Sequence, residues 1–155
     1  MADLELTRSA GNRRLCALEG AGTLHLKGFF SRTATAEAGG RSWQIVRRGL
    51  WQRVIQAIDA AGAMVGEFEP RSLRRGGTLR WAGRGLSLRP ASRWRERYAL
   101  AEGDRELAVL DGKGWGRRPV MITLDDIGAV EPGRLLFAAF IVRGLAEDAE
   151  GAASA

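Results

Sequence analysis

The feature that most constrains this chain is an unbroken run of apolar residues at positions 135–142. Pro132 suits the first turn of a helix, and Glu131 would complement the positive N-terminal end of that helix. A helix that is apolar on every face must be surrounded on every face. We therefore predict a helix over residues 132–146 that is enclosed by the rest of the domain, followed by a frayed acidic tail at 147–155. A single buried parallel strand is the alternative interpretation of the run.

Upstream of this run, short segments alternate between apolar and polar residues, which is typical of half-buried strands. Glycine-containing turn signals separate these segments at intervals of about ten residues. The sequence therefore predicts a mainly β fold, a closed antiparallel barrel of about 10–12 short strands around one hydrophobic C-terminal helix. The predicted inward sets are Leu24 and Leu26; Trp43 and Ile45; Met64, Gly66 and Phe68; Leu79 and Trp81; Leu86 and Leu88; Tyr98 and Leu100; Leu107 and Val109; and Val120, Ile122 and Leu124.

Residues 50–59 fit two patterns. Trp51, Val54, Ile55 and Ile58 form a helical stripe, whereas Val54 and Ile58 also share one strand face with Gln56. The high β-branched content favours a strand. The chain length of 155 residues fits a single domain over residues 1–155, with its core at about 10–146.

Charge suggests an anionic partner. The net charge is +6, and the 24 basic residues are arginines except for Lys27 and Lys113. An arginine-rich composition also follows from GC-rich coding, so the excess has two interpretations. Its uneven distribution, with a net charge of +10 over residues 1–95 and −4 over residues 96–155, favours an anion-binding surface.

Several kinds of chemistry find no support in the sequence. His25 is the single histidine, and it is predicted on an outward strand face, where it cannot work in a catalytic triad. Asp125 and Asp126 lack a calcium-loop pattern, and residues 112–116 do not match a phosphate-binding glycine motif. Cys16 is the single cysteine and is expected to be a buried apolar residue. We expect no enzyme activity, no metal and no cofactor.

The candidate ligand-binding residues are clustered arginines, because guanidinium groups bind phosphate well. Residues 93–98 also interleave arginine with aromatic residues, a pattern that could grip phosphates or stack on bases, although strand alternation alone explains it. Arg13 and Arg14 form a further basic pair. The predicted site residues are Arg47, Arg48, Arg53, Arg71, Arg74, Arg75, Arg93 and Arg95.

The order of many short hairpins before one hydrophobic helix resembles the tubby C-terminal-like superfamily, which includes tubby proteins, LURP-one-related proteins and phospholipid scramblases. The resemblance lies in residues 60–68, 94–100 and 132–142 and covers about residues 10–146. It implies a closed barrel of about a dozen strands with the helix through its centre, and a binding or lipid-associated role. The cysteine cluster and acidic calcium loop of scramblases have no counterpart in this sequence.

These observations give three functional hypotheses. The first is a non-enzymatic binding or scaffold domain that holds anionic phospholipid headgroups, or a protein partner, on a basic barrel surface. The second is a nucleic-acid-binding module that uses strands rich in arginine and tryptophan. The third is an assembly domain without a small ligand. The longest apolar run is much shorter than the roughly 20 residues of a membrane-spanning helix, so we expect no transmembrane segment and a cytoplasmic location.

Overall fold

The computed structural model describes residues 2–28, 32–71, 75–92, 96–113, 117–126, 128 and 130–154. These residues form twelve strands, a short 3-10 helix at Leu50–Gln52 and one long helix, α1 (Pro132–Ser154). The strands are β1 (Ala2–Arg8), β2 (Leu15–Leu18), β3 (Gly22–Lys27), β4 (Thr33–Ala38), β5 (Arg41–Arg48), β6 (Val54–Asp59), β7 (Met64–Pro70), β8 (Gly77–Trp81), β9 (Arg84–Pro90), β10 (Arg97–Glu102), β11 (Arg105–Gly112) and β12 (Val120–Leu124).

Each strand pairs antiparallel with its neighbours in the chain, and the first strand closes the sheet by pairing with the last. In this closing pair, Ala2 lies opposite Leu124 and Leu6 lies opposite Val120. Closure removes the free edges at which an open sheet recruits further strands. The predicted closed antiparallel barrel of 10–12 strands is therefore confirmed.

The helix α1 fills the barrel. Every residue from 135 to 142 is at most 2% exposed, so the apolar run is a helix buried on all sides and the strand alternative is wrong. Side chains alone just fill a barrel of about eight strands, and the interior widens as strands are added. A helix about 10 Å across supplies the missing volume.

Small residues allow the helix to lie close to part of the barrel wall. A Cβ atom added to Gly22 on β3 would lie 2.8 Å from Leu136 Cδ1. A Cβ atom at Gly112 on β11 would lie 2.8 Å from Val142 Cγ1. The absence of side chains at these two positions thus fixes how closely the helix approaches the wall.

Aromatic side chains pack around the first turn of α1. The Trp81 ring lies 5.6 Å from the rings of both Trp43 and Phe137, measured between centroids. Trp81 Nε1 donates a hydrogen bond of 3.0 Å to a carboxylate oxygen of Glu131, and the Glu131 carbonyl accepts the first helical bond from Leu135 N. Glu131 therefore joins the start of the helix to the barrel wall.

The helix and the barrel both extend beyond the predicted core of 10–146. The helix continues to Ser154, so the predicted helix end at residue 146 is wrong, while the predicted fraying of residues 147–155 stays a prediction. Its second half is rich in alanine, the best helix former, and Arg143 pairs with Glu147 one turn away. At the other end of the chain, Ala2–Arg8 is a barrel strand whose Leu6 is fully buried.

Two bulges alter the predicted strand faces. Gly66 pairs with Ala57 but Met64 pairs with Ile58, so Val65 is an extra residue and Met64 is 51% exposed instead of facing the core. Between β10 and β11, Leu107 is the extra residue. The inward side chains of β11 are consequently those of Ala108 and Leu110, not the predicted pair Leu107 and Val109, although Leu107 is also buried. Bulges of this kind shift the alternation by one residue.

The preference for a strand within residues 50–59 is confirmed for Val54–Asp59, which forms β6. The residues before it form the 3-10 turn. The other predicted inward sets are buried as expected.

The fit between the helix and the aromatic wall predicts the effect of one added methyl group. A Cβ atom at Gly133 would lie 2.8 Å from both Trp43 and Trp81, whose rings cannot move apart without disturbing the core. We expect Gly133→Ala to lower the free energy of unfolding by about 1–3 kcal/mol, measured by chemical denaturation.

Gly144→Ala in the same helix is the matched control. Its Cβ atom would meet only the flexible tip of Arg47, at 3.3 Å, and alanine favours helix by up to about 1 kcal/mol. Equal destabilisation by the two substitutions would contradict this description of the packing.

Candidate anion-binding site

The antiparallel order brings six chain connections to each end of the barrel. One end, which we call the basic end, carries the connections 9–14, 28–32, 49–53, 71–76, 91–96 and 113–119, and α1 leaves the barrel there. The opposite end carries the connections 19–21, 39–40, 60–63, 82–83, 103–104 and 125–131, and α1 begins there. The basic end has the longer connections, apart from the one that leads into the helix.

The described residues of these connections differ sharply in charge between the two ends. At the basic end they include nine basic side chains and one acidic side chain, whereas at the opposite end they include five acidic and no basic ones. The residues at the basic end are Arg13, Arg14, Arg32, Arg53, Arg71, Arg75, Lys113, Arg117, Arg118 and Glu96. Those at the opposite end are Glu19, Asp104, Asp125, Asp126 and Glu131.

A cavity of about 450 Å³ opens at the basic end, between the last turns of the buried part of α1 and the ends of β1, β3 and β5. Six arginines and two carboxylates line it, so its lining carries a net positive charge. The lining residues are Arg8, Arg13, Arg14, Leu26, Arg32, Arg47, Arg143, Gly144, Glu147 and Asp148.

Arg143 forms the floor of this cavity. Its side chain is 2% exposed, pairs with Glu147 one turn along the helix and lies with its guanidinium carbon 5.6 Å from the Phe140 ring centroid. Burial lowers the pKa of Arg143, and the Glu147 carboxylate partly offsets that effect. Burial likewise raises the pKa of Glu147, while the positive charges of Arg143 and Arg8 oppose the shift. A guanidinium group carries five N–H donors, so it can bind more than one acceptor group at a time.

Arg47 closes one side of the cavity. It continues the inward face of β5 after Trp43 and Ile45, and its Nε donates a hydrogen bond of 2.9 Å to the carbonyl oxygen of Arg32. Burial lowers the pKa of Arg47, and the positive charge of Arg32 lowers it further. The protein thus holds like charges together at this end, where a bound anion would relieve their repulsion.

Arg8 closes the other side. Its Nε atom is buried and has no hydrogen-bond partner among the described residues. The side chain lies beside Cys16, which is fully buried as expected; burial raises the pKa of that thiol, although Arg8 and Arg143 lower it in part. A buried donor without a partner is costly unless a ligand or water meets it, so Arg8 adds to the case for an anion site.

The arginines predicted from the sequence only partly coincide with this cavity. Arg47 lines it, and Arg53 lines an adjoining groove beside Trp51. Arg48 and Arg71 are exposed at the same end of the barrel. Arg75 forms a 3.1 Å ion pair with Glu96 and also donates to the carbonyl of Ser92. Arg74, Arg93 and Arg95 lie outside the described residues, as does Trp94.

The sequence prediction of the site omitted Arg8, Arg32 and Arg143. Arg8 and Arg143 are separated by most of the chain and meet only because the first strand and the helix share the barrel's end. Arg143 lies directly after the apolar run, which is a local sign that the helix emerges from the core at that point. Arg13 and Arg14, recognised as a basic pair, do line the cavity.

The opposite end contains a second buried arginine on α1. Arg134 is 3% exposed and lies 3.9 Å from Glu131. Burial lowers its pKa, and its Nε has no hydrogen-bond partner among the described residues. Cavities of about 610 and 830 Å³ lie at this end. They are beside the acidic connections, and their lining consists mostly of small, apolar or backbone groups.

Other chemistry is sparse in the part of the chain that the structure describes. His25 is exposed on the outer face of β3, as predicted, and no three histidine, cysteine or acidic side chains come together in a way that could hold a metal ion. Across the described residues, no helix has both the length and the apolar content required to cross a bilayer.

Comparison of the chain with protein-family models, curated proteins and solved structures found no match. The interpretation of the basic cavity as an anion-binding site therefore rests on its geometry.

That geometry predicts stabilisation by phosphate. Inorganic phosphate at ten times its dissociation constant would add about 1.4 kcal/mol to the free energy of unfolding, or roughly 3–6 °C in the thermal midpoint. We expect this shift for the wild-type protein relative to chloride at equal ionic strength, and we expect Arg14→Gln to lose most of it.

Arg41→Gln removes an exposed arginine near the opposite end and serves as the control. It should keep the full shift. A phosphate effect that falls equally in both variants would mean that net charge, and not this cavity, binds the anion.

Proposed function

We propose that this protein is a non-enzymatic binding domain that holds anionic phospholipid headgroups with the basic end of its barrel. The observation that carries the proposal is the difference in charge between the described connections of the two ends, together with the arginine-lined cavity at the basic end. We further propose a cytoplasmic location, where a membrane surface presents acidic lipids.

The distribution of charge suits a flat anionic surface. Among the described residues, basic side chains lie on five of the six connections at the basic end, so many of them can approach one plane together. Each lysine or arginine near an acidic leaflet contributes about 1 kcal/mol, within a Debye length of about 8–10 Å. The acidic connections would face away from the membrane, which gives the domain one preferred orientation.

The cavity adds recognition of a single headgroup. Guanidinium groups form paired hydrogen bonds with phosphate oxygens, and Arg8, Arg47 and Arg143 present such groups from three different elements. A volume of about 450 Å³ is within the usual range for small-ligand sites. A free phosphate compound has the same chemistry as a headgroup, so the test must separate the two sources.

The resemblance to the tubby C-terminal-like superfamily supports the same ligand class. The barrel of twelve strands around a central helix has the shape that the resemblance implies. Membership of that superfamily is a proposal, and no ligand residue is transferred from it.

One observation favours nucleic acid as a second candidate. Trp51 is 81% exposed at the basic end and lines the same groove as Arg53. An exposed aromatic ring beside an arginine can stack on an unpaired base while the arginine binds phosphate. Such binding would weaken steeply with salt, because phosphate contacts release counterions.

Vesicle co-sedimentation tests the lipid proposal. We expect the wild-type protein to pellet with phosphatidylserine-containing vesicles and not with pure phosphatidylcholine vesicles. Arg13→Glu/Arg14→Glu changes two exposed residues of the cavity rim and should weaken binding by at least about 30-fold, since removing two basic contacts costs about 2 kcal/mol.

Arg41→Glu/Arg105→Glu is the matched control. It makes the same reduction in net charge, from +6 to +2, with exposed residues near the opposite end. It should change vesicle affinity by less than about threefold. Equal losses in the two double variants would show that overall charge, rather than the basic end, drives binding.

Two further measurements distinguish a lipid headgroup from a free phosphate compound as the ligand. Excess inorganic phosphate should compete only weakly with vesicles, because it fills the cavity but does not cover the surrounding arginines. Failure to pellet with either vesicle type, or equal pelleting with both, would end the lipid proposal. A mobility shift with a single-stranded oligonucleotide in that case would favour the second candidate.

A further inference from the structure

Trp51 is a large aromatic residue that lies at the protein surface instead of in the core. Its side chain is 81% exposed, and with Met64 it forms the set of exposed large hydrophobic residues in the described chain. The other two tryptophans that the structure describes, Trp43 and Trp81, are buried against the helix. Among the described tryptophans, exposure is therefore specific to the position of Trp51.

The backbone holds Trp51 outward in an unfavourable conformation. Trp51 has φ 61° and ψ 14°, and Gln52 has φ 52°, so two consecutive residues other than glycine lie in the left-handed region. That region is disfavoured for L-residues and is rarely occupied by bulky ones. The turn is closed by a 3.1 Å hydrogen bond from Gln52 N to the Gly49 carbonyl. Conformations of this kind concentrate at functional positions.

Arginine side chains lie close to this turn. It joins β5 to β6 at the basic end, and Trp51 shares its groove with Arg32, Arg47 and Arg53. An indole ring beside arginines matches the composition of membrane-surface anchors, because tryptophan favours the boundary between headgroups and acyl chains.

We infer that Trp51 is an interfacial anchor, which inserts its ring into an anionic bilayer while the surrounding arginines bind the headgroups. This inference rests on the proposed function and adds the contact that orients the barrel with its basic end on the membrane. A lipid surface is favoured over single-stranded nucleic acid because the described basic residues lie on connections around the whole barrel end, which suits a flat anionic surface. At the basic end, Trp51 is the exposed large hydrophobic residue that the structure describes.

The experiment uses phosphatidylserine vesicles that contain brominated phosphatidylcholine, which quenches tryptophan emission on contact. The full chain should show quenching at lipid concentrations where it is bound. Trp51→Phe, bound under the same conditions, should be quenched clearly less than the wild type, because it lacks the contribution of the Trp51 ring. Trp51→Gly should weaken vesicle binding by at least about tenfold, because the variant lacks the large apolar side chain that the wild type transfers from water into the bilayer.

Two controls separate anchoring from folding. Glycine accepts the left-handed conformation, so Trp51→Gly should have a thermal unfolding midpoint no lower than that of the wild type. Met64→Gly removes the exposed hydrophobic residue at the other end of the barrel and should leave vesicle affinity unchanged.

The outcomes distinguish this inference from the proposed function. If the wild type pellets with anionic vesicles but Trp51→Gly binds equally well, or Trp51→Phe is quenched equally, the anchor is wrong and the lipid function stands. If the wild type does not pellet with anionic vesicles, both the anchor and the proposed lipid function are wrong. Quenching of Trp51 by an oligonucleotide but not by brominated vesicles would overturn the anchor in favour of base stacking.

Discussion

The rest of the structure depends on the mutual burial of one apolar helix and one closed barrel. Twelve strands enclose more space than their own side chains can fill, and the helix between Leu135 and Val142 has no polar face to offer water. Each part therefore needs the other. Glycines at the wall, such as Gly22 and Gly112, set the distance between them, and the indole rings of Trp43 and Trp81 enclose the helix start.

The same helix links the core to the candidate site. Arg134 and Arg143 are buried at the two ends of its apolar segment, nine residues and about 13.5 Å apart, and each lies near a glutamate of its own end. Sliding the helix by one turn would drive one guanidinium group into the apolar interior, which is strongly unfavourable. The two arginines thereby fix the position of the helix along the barrel axis. This position places Arg143 at the floor of the cavity. The antiparallel order of the strands then gathers the arginine-rich connections around that cavity.

The fold was largely predictable because its determinants are periodic and local. Alternation placed Val120, Ile122 and Leu124 inward, and the unbroken run at 135–142 required an enclosing barrel. Bulges at Val65 and Leu107 shifted the alternation, since nothing in the local sequence marks an unpaired residue. The site was less predictable: Arg47 and Arg53 were recognised from clustering, whereas Arg8, Arg32 and Arg143 come together only because a strand, a connection and the helix meet at one end of the barrel. The exposure of Trp51 also escaped prediction, because its turn geometry contradicts its residue type.

Native-state hydrogen exchange tests the mutual dependence of helix and barrel most directly. If the helix is the core of the barrel, the amides of residues 135–142 should exchange only through global unfolding, with protection equal to that of the most stable strand amides. Their protection should also fall in step with the strands as denaturant is added. Exchange of these helix amides at a lower free energy than the strands would show that the barrel stays closed without its helix, and would contradict that dependence.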